Sequence, residues 1–404
     1  MTEKTGWFSR VFARPKNVRP NEIKQAGISG SSGFVALHNV LGAGWTNASY
    51  EALSRQGFMR NAVVHRCVRM ISEAAGSVPW LAYEGDQELL DDPLAGLINQ
   101  PNPFQSRGDF VEAICGHLLL SGNAYIERVG HGENAFGQLY TLRPDYISCK
   151  LDDYGWPEAY VYQTGAKTRH IAMDEVDGPQ SLLHLKLFNP LDDVNGFAPL
   201  QAGLMALDTH NAAAEWNKAL LDNAARPSGA LVYAPGDGSN LTPEQYEQLK
   251  RELEDGYSGP NNAGKPLLLE GGLDWKAMGL SPKDMDFIEA KNAASRDIAL
   301  AFGVPPMLLG IPGDNTYANY QEAHRAFFRL TVLPLLQRVK SAMSGWMQQS
   351  RSPAFHLELD LDQVESLRPE RDALWTRLEA ASFLSEDEKR MAVGYSPMGE
   401  EQRE

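Results

Sequence analysis

Apolar residues recur at helical spacing early in the chain: Val63, Val64, Cys67, Val68, Ile71 and Ala75 fall on one face, and Pro79 ends the run. The spacing predicts an amphipathic helix with one buried side. A second helix is expected from about Arg107 to Leu120, after the turn-rich NQPNPFQS. Short apolar runs then predict strands at 123–129, 137–142, 146–151, 159–163 and 182–188, separated by Gly, Pro and Asp turns. Residues 49–198 therefore read as an α+β domain. A helical stretch follows over 199–225 and stops before Arg226 and Pro227.

Residues 226–280 change texture. Strands are expected at 229–234, 266–270 and 273–278, and a helix from Pro243 to Asp255. Thr242 suits its N-cap, Pro243 its first position, Gln245 the return arm of a capping box, and Gly256 the left-handed stop. This is a compact α/β module inserted between two helices. The second flanking helix, 281–303, makes a rod of about 30 Å. Gly303, Pro305, Pro306 and Gly310 then break it, and a polar loop follows through Gly313, Asp314, Asn315 and Thr316. From Tyr317 and Asn319 to about Gln349 a second rod of about 50 Å is expected. Its internal Pro334 predicts a kink near 328–331. AFHLELDL alternates as a half-buried strand, with Asp360 and Asp362 on its polar face, and a helical tail closes the chain. Ser385 and Glu388 form a second capping box there, with Gly394 as the stop.

With 404 residues, 43% of them hydrophobic, the chain can bury a substantial core and divides into two or three domains. Its longest apolar runs fall well short of the ~20 residues that a spanning helix needs. Residues 1–48 are basic near their start and carry GISGSSG at 27–33, the composition of a flexible arm. No secretory signal is expected in them, which places synthesis and folding in the cytoplasm. Cys67, Cys115 and Cys149 lack paired spacing, so buried reduced thiols are expected rather than a disulfide or zinc site. A net charge of −15, from 52 acidic and 37 basic residues, argues against tight gripping of nucleic acid. It leaves room for a surface that DNA slides past.

Chemical motifs are weak. GPNNAGKP at 259–266 has the spacing of a phosphate-binding loop, yet Pro266 replaces the magnesium-holding hydroxyl and a strand pattern follows where a helix is required. A polar turn is the better reading of Gly259 to Lys265. His65, His117 and His324 sit within helical patterns as core or surface residues, and a solvated strand face accounts for Asp360 and Asp362. No cofactor, metal or catalytic residue is expected.

Several stretches carry a resemblance. YEALSRQGFMRNAVVHRCVRMIS, LLLSGNAYIER, VNGFAPLQAG, ARPSGALVY, the run from GYSGPNNAGKPLLLEGG to FIEA, and FGVPPMLLGIPGDNTYANYQEA resemble, in this order, portal proteins of tailed bacteriophages and related gene transfer agents. The likeness covers nearly all of the chain from Tyr50 onward. Ala198 departs from the serine usual in the family's turn there. The resemblance implies the portal fold, with an arm (1–48), a wing (49–198), stem helices (199–225 and 281–303), a clip (226–280), a tunnel-loop region (304–319), a long kinked helix with a wing strand (320–362) and a crown (363–404).

It further implies a homo-oligomeric ring of twelve subunits at one capsid vertex, through which double-stranded DNA passes. Expected partners are the terminase large subunit, the major capsid protein and a head-tail adaptor, with no membrane. Gly313, Asp314, Asn315, Thr316, Tyr317 and Asn319 are expected to line or shape the channel loop. Gly303, Pro305, Pro306 and Gly310 would join stem to loop; Arg226, Pro227, Tyr257, Asn261, Asn262 and Lys265 would belong to the docking clip. The chain would carry out no bond chemistry. Two alternatives stand beside this reading: a cytoplasmic enzyme using the Gly259 to Lys265 turn on nucleotides, and a different minor capsid or adaptor protein.

Overall fold

The computed structural model describes residues 46–130, 137–172, 180–222, 229–233, 242–257, 273–277, 287–312 and 317–394. After a lead-in turn at Tyr50–Ala52 and a π-helical stretch at Leu53–Phe58, the first long helix, α1, spans Ala62–Ser77. Asn61 caps it, accepting from the amides of Val63 and Val64. The same side chain donates to Nδ1 of His210 (2.9 Å) and to Asn211 (2.8 Å), tying this helix start to a later helix. The short helix α2 (Pro93–Asn99) was not expected from periodicity, although Asp92 as N-cap before Pro93 is a legible signal. Helix α3 (Arg107–Ser121) begins with a Ser106 and Asp109 capping box.

The remaining helices in chain order are α4 (Leu204–Asp222), α5 (Pro243–Tyr257), α6 (Phe287–Phe302), α7 (Tyr317–Phe327), α8 (Leu333–Gln348), α9 (Arg368–Ala380) and α10 (Glu386–Ala392). The strands are β1 (Trp80–Glu84), β2 (Gln87–Glu88), β3 (Asn123–Val129), β4 (Gln138–Leu142), β5 (Ile147–Leu151), β6 (Pro157–Thr164), β7 (Lys167–Ala172), β8 (Leu182–Lys186), β9 (Gly229–Tyr233), β10 (Leu273–Ala277) and β11 (Phe355–Leu359). They form four small antiparallel sheets, ordered β11-β1-β2, β4-β3-β8, β5-β6-β7 and β10-β9. The mixed α+β class is as expected.

Strand β11 closes the chain onto its beginning. Trp80 stands opposite Leu359 and Glu84 opposite Phe355, so the last strand pairs with the segment that directly follows α1. Phe355, Leu357 and Leu359 point into the core, and Lys340 donates to Glu358 on the other face at 2.9 Å. One continuous core joins α1, α3, the inner residues of α6 and the α7–α8 region. A second, smaller cluster of Tyr125, Leu142, Tyr160, Ile171 and Leu182 holds β5-β6-β7 against β4-β3-β8.

Several expectations are corrected. The helix over 199–225 is interrupted: a one-turn helix, Pro199–Ala202, ends at Gly203 before α4 starts. Gly203 donates to Leu200 and accepts from Leu207, so it serves both pieces. Ala198 offers no side-chain cap, and Gln201 compensates by accepting the Ala198 amide at 3.2 Å. Gly256 lies inside α5, which runs on to Tyr257, although Thr242 and Gln245 exchange the expected capping bonds (3.0 and 3.3 Å). Asp360 and Asp362 follow β11 rather than share it. Asp360 caps a 3₁₀ turn and Asp362 pairs with Arg371. Cys149 is only half-buried, whereas burial pushes the thiols of Cys67 and Cys115 up to about 12 and leaves them inert. The expected strand at 266–270 lies outside the described residues.

Two histidines are built into the first domain as neutral rings. His184 stacks on Tyr125 with centroids 4.3 Å apart; its Nδ1 accepts from the Tyr160 hydroxyl (3.0 Å), and its Nε2 donates to Asn123 (2.9 Å). Asn123 also accepts the amide of Gly196 at 2.7 Å, so the ring supports the turn that leads to α4. His117 accepts from the Tyr50 hydroxyl at 3.1 Å. Burial lowers His184 to about 3 and His117 to about 4.

An unfolded histidine titrates near ~6.5, so below that pH the unfolded chain binds protons that the fold refuses. Stability should therefore be complete above pH ~6.5 and fall as pH drops toward 4, by up to about 1.4 kcal/mol per pH unit for each histidine. Urea midpoints between pH 8 and 4 measure the slope. Replacing both His117 and His184 with Gln should flatten it; an unchanged slope would show that other groups govern acid sensitivity.

Candidate functional site

The junction between α6 and α7 carries the sequence feature with the most specific geometry. Helix α6 buries Ala294, Ile298, Ala299 and Phe302 and leaves Ile288 and Leu300 exposed. At its end Gly303 adopts φ +68°, in the left-handed region. The Val304 amide donates back to Ala299 (2.9 Å) and the Gly303 amide to Leu300 (3.0 Å). This is the double-bonded Schellman cap, completed by the buried Val304.

The same device is then repeated over a single turn. Pro306–Leu309 forms a 3₁₀ helix, Gly310 takes φ +72°, and the amides of Gly310 and Ile311 donate to Met307 (3.2 Å) and Pro306 (3.3 Å). Ile311 is buried in turn. Pro305 and Pro306 need no amide partners here, because both precede or open the 3₁₀ turn. Arg296 on α6 donates to the Pro312 carbonyl (2.7 Å), and so the outgoing chain is held against the helix it has just left.

Gly303 is also wedged against the long helix. A Cβ at this position would lie 2.9 Å from Oγ1 of Thr331, and that hydroxyl donates to the Gly303 carbonyl at 2.5 Å. Thr331 lies in a π-helical turn, Phe328–Val332, between α7 and α8. Pro334 falls in the first turn of α8, directly after the π turn that accommodates its missing amide within the continuous helix. The wider turn stands where the kink was expected, and the Leu333 amide reaches back to Phe328. The π turn of the long helix and the cap ending α6 are thus joined by one hydroxyl.

Gly303, Pro305, Pro306 and Gly310 come together in this turn. Gly313, Asp314, Asn315 and Thr316 lie outside the described residues, as do Arg226, Pro227, Asn261, Asn262 and Lys265 with the rest of the Gly259 to Lys265 turn. Tyr317 opens α7 and Tyr257 ends α5. Asn319 and Tyr320 are exposed on α7. Thr331 and Arg296 were missed by sequence reasoning, since their partners lie 28 and 16 residues away. Among the described residues no His, Cys, Asp and Glu group could hold a metal ion, and no helix is long and apolar enough to cross a membrane. What the arrangement supplies is a rigid geometry: α6 ends at a fixed point and the chain as far as Pro312 is held against it.

Known proteins place this geometry in context. The family model for phage portal protein matches residues 62–394. A chain in the neck of an empty gene transfer agent particle, computed with C6 symmetry, is 47% identical, with TM-score 0.70 over 91% of this chain and 100% of that one. A chain in the neck of a native gene transfer agent particle, computed with C12 symmetry, is 48% identical, with TM-score 0.68 over 90% and 99%. The portal protein of Enterobacteria phage HK97 is 25% identical over 88% of this chain and 81% of its own length.

The two left-handed glycines should respond differently to substitution. Nothing lies within 4 Å of a Cβ at Gly310, so Gly310→Ala meets only the backbone penalty, about 1–2 kcal/mol. Gly303→Ala adds the clash with Thr331 and should cost about 3 kcal/mol. Equal losses in urea denaturation would remove the wedge from the account.

Proposed function

This chain belongs to the phage portal protein family, and we propose that it acts as the portal of a phage-like particle, forming the ring at the capsid vertex through which double-stranded DNA enters and leaves. The observation that carries this reading is the near-complete correspondence, at 47% identity, with a chain of a gene transfer agent neck. That likeness runs along 91% of this chain and the whole of that one. It also favours a gene transfer agent or a related prophage particle over an unrelated lytic phage.

The chain's surfaces support assembly into a ring. Met205 and Trp216 on α4 and Ile288 and Leu300 on α6 remain substantially exposed, an apolar allotment on two stacked helices that suits burial by neighbouring copies. We assign the terminase large subunit and later the head-tail adaptor to the clip around Arg226, Tyr257 and Lys265, and the major capsid protein to the wing. The ring carries out no bond chemistry; hydrolysis of ATP belongs to the terminase. The nucleotide-enzyme alternative is not favoured, because the family match accounts for the chain from α1 to its last described helix.

Native mass spectrometry with electron-microscope class averages should reveal a ring of about twelve copies with an open axis; a persistent monomer across salt and protein concentration would sink the reading. Deleting Gly313 to Thr316 should leave such rings intact while lowering DNA packaging or retention at least tenfold. Unchanged packaging in that variant would take the loop out of the mechanism without touching the ring.

A further inference from the structure

Between β8 and α4 the chain makes a loop, residues 187–198, that turns its large apolar side chains outward: Phe188 is 78% exposed, Leu191 74% and Phe197 38%. On a pliable loop such side chains would fold back onto the body, but this loop is held from within. Asn189 donates to the Asn195 carbonyl at 3.0 Å and closes it. The Asp192 carboxylate accepts from the amides of Val194 (2.7 Å) and Asn195 (2.9 Å) and from the Asn195 side chain (3.0 Å). At the neck the Leu187 amide donates to the Gly122 carbonyl at 2.8 Å, and the backbones of Gly122 and Gly196 lie so close that a Cβ on either would overlap the other. A Cβ at Gly196 would also sit 2.8 Å from the Leu187 nitrogen, so Phe188 and Phe197 follow the two sides of one narrow neck.

These side chains present on the order of 300 Å² of apolar surface, the size of patch that marks a contact site. Because the loop is already ordered, a partner that buries it meets little further entropy cost. The direction of the chain indicates where the patch leads. It passes through the turn Pro199–Ala202 into α4, where Met205 is 68% exposed, and Met205, Ala212 and Trp216 lie along one exposed stripe of that helix. This is the face already given to neighbouring copies, and the loop extends it. Each copy also carries a net charge of −15, which pushes copies apart and leaves their attraction to apolar burial.

We propose that this loop is a contact between copies, with Phe188, Leu191 and Phe197 of one subunit packed on the next subunit of the ring. The receiving surface is not the neighbour's own loop, because in a closed ring the two halves of every contact are different surfaces. The loop thus adds a preformed apolar knob to the contact made by α4 and α6. The proposal rests on the ring reading and names a part of it that the helices do not supply.

A photo-cross-linking amino acid in place of Leu191, in rings of the full chain, tests it. Links should run at the mass of two chains and map outside residues 187–198 of the second copy. Rings that give no two-chain link, or links between two copies of the loop, would overturn the contact and leave the portal reading standing. An unmodified chain that forms no ring fails that reading and the contact with it. In whole particles, links from Leu191 to a different protein in place of a second copy would also overturn the contact. As an independent measurement, Phe188→Asp combined with Leu191→Asp, both at exposed positions, should keep the urea midpoint measured below the concentration of ring formation. The same variant should raise that concentration at least tenfold; rings at the unchanged concentration count against the loop.

Discussion

The buried face of α1 is the constraint on which the described chain depends. Val64, Cys67, Val68, Ile71 and Ala75 are at most 3% exposed. They are covered from three directions, by α3, by α6 and by the π-helical turn before α8. Those covering elements come from distant parts of the sequence, so this one face brings α3, α6 and the start of α8 into a single core. Emptying a central position such as Ile71 removes contacts with several elements at once, in the class of core losses that cost about 2–5 kcal/mol. The pairing of β1 with β11 follows from the same placement. Once the π turn packs on α1, α8 leads on from it to β11, which lies beside the strand after α1 in antiparallel register and aligns Phe355, Leu357 and Leu359 with the core.

How far this was legible in the sequence depends on the range of each interaction. Helix α1, the box-capped start of α10, strand β3 and the alternating β11 are set by local periodicity and capping, and their residues announce them. Strand β1 was not announced, because WLAYE has no neighbours in sequence that reveal a partner 275 or so residues later. Gly256 was read as a stop because of its type, yet α5 continues past it, and Gly203 broke a helix whose apolar pattern ran straight through. The glycines and prolines of the 303–310 turn were visible as breakers. That they build two successive caps, pinned by Val304, Ile311, Arg296 and Thr331, was not visible, since each pin depends on a through-space partner.

The pinned turn changes what a loop between two rods can do. Paired prolines and glycines suggest a joint that bends freely, but here the backbone bonds of both caps are satisfied and both trailing side chains are buried. Movement at this point requires breaking a cap or shifting Thr331 with the π turn that carries it. A π turn is the place where a long helix can absorb such a shift, because its hydrogen-bond ladder is already out of the regular register. The end of α6 and the π turn are therefore mechanically one unit, and any displacement of Gly303 is shared with the start of α8.

Charge completes the argument from structure to role. Affinity for double-stranded DNA comes largely from lysine and arginine neutralising phosphates, and it grows with the number of such contacts. A chain of net charge −15 that repeats itself around an axis surrounds DNA with like charge, which disfavours lasting grip. For a clamp or a sequence reader this composition would be a defect. For a conduit it is an advantage, since a duplex that must move past the same residues is slowed by every phosphate held. The acidity of the chain thus serves one requirement of a portal, that its cargo keeps moving.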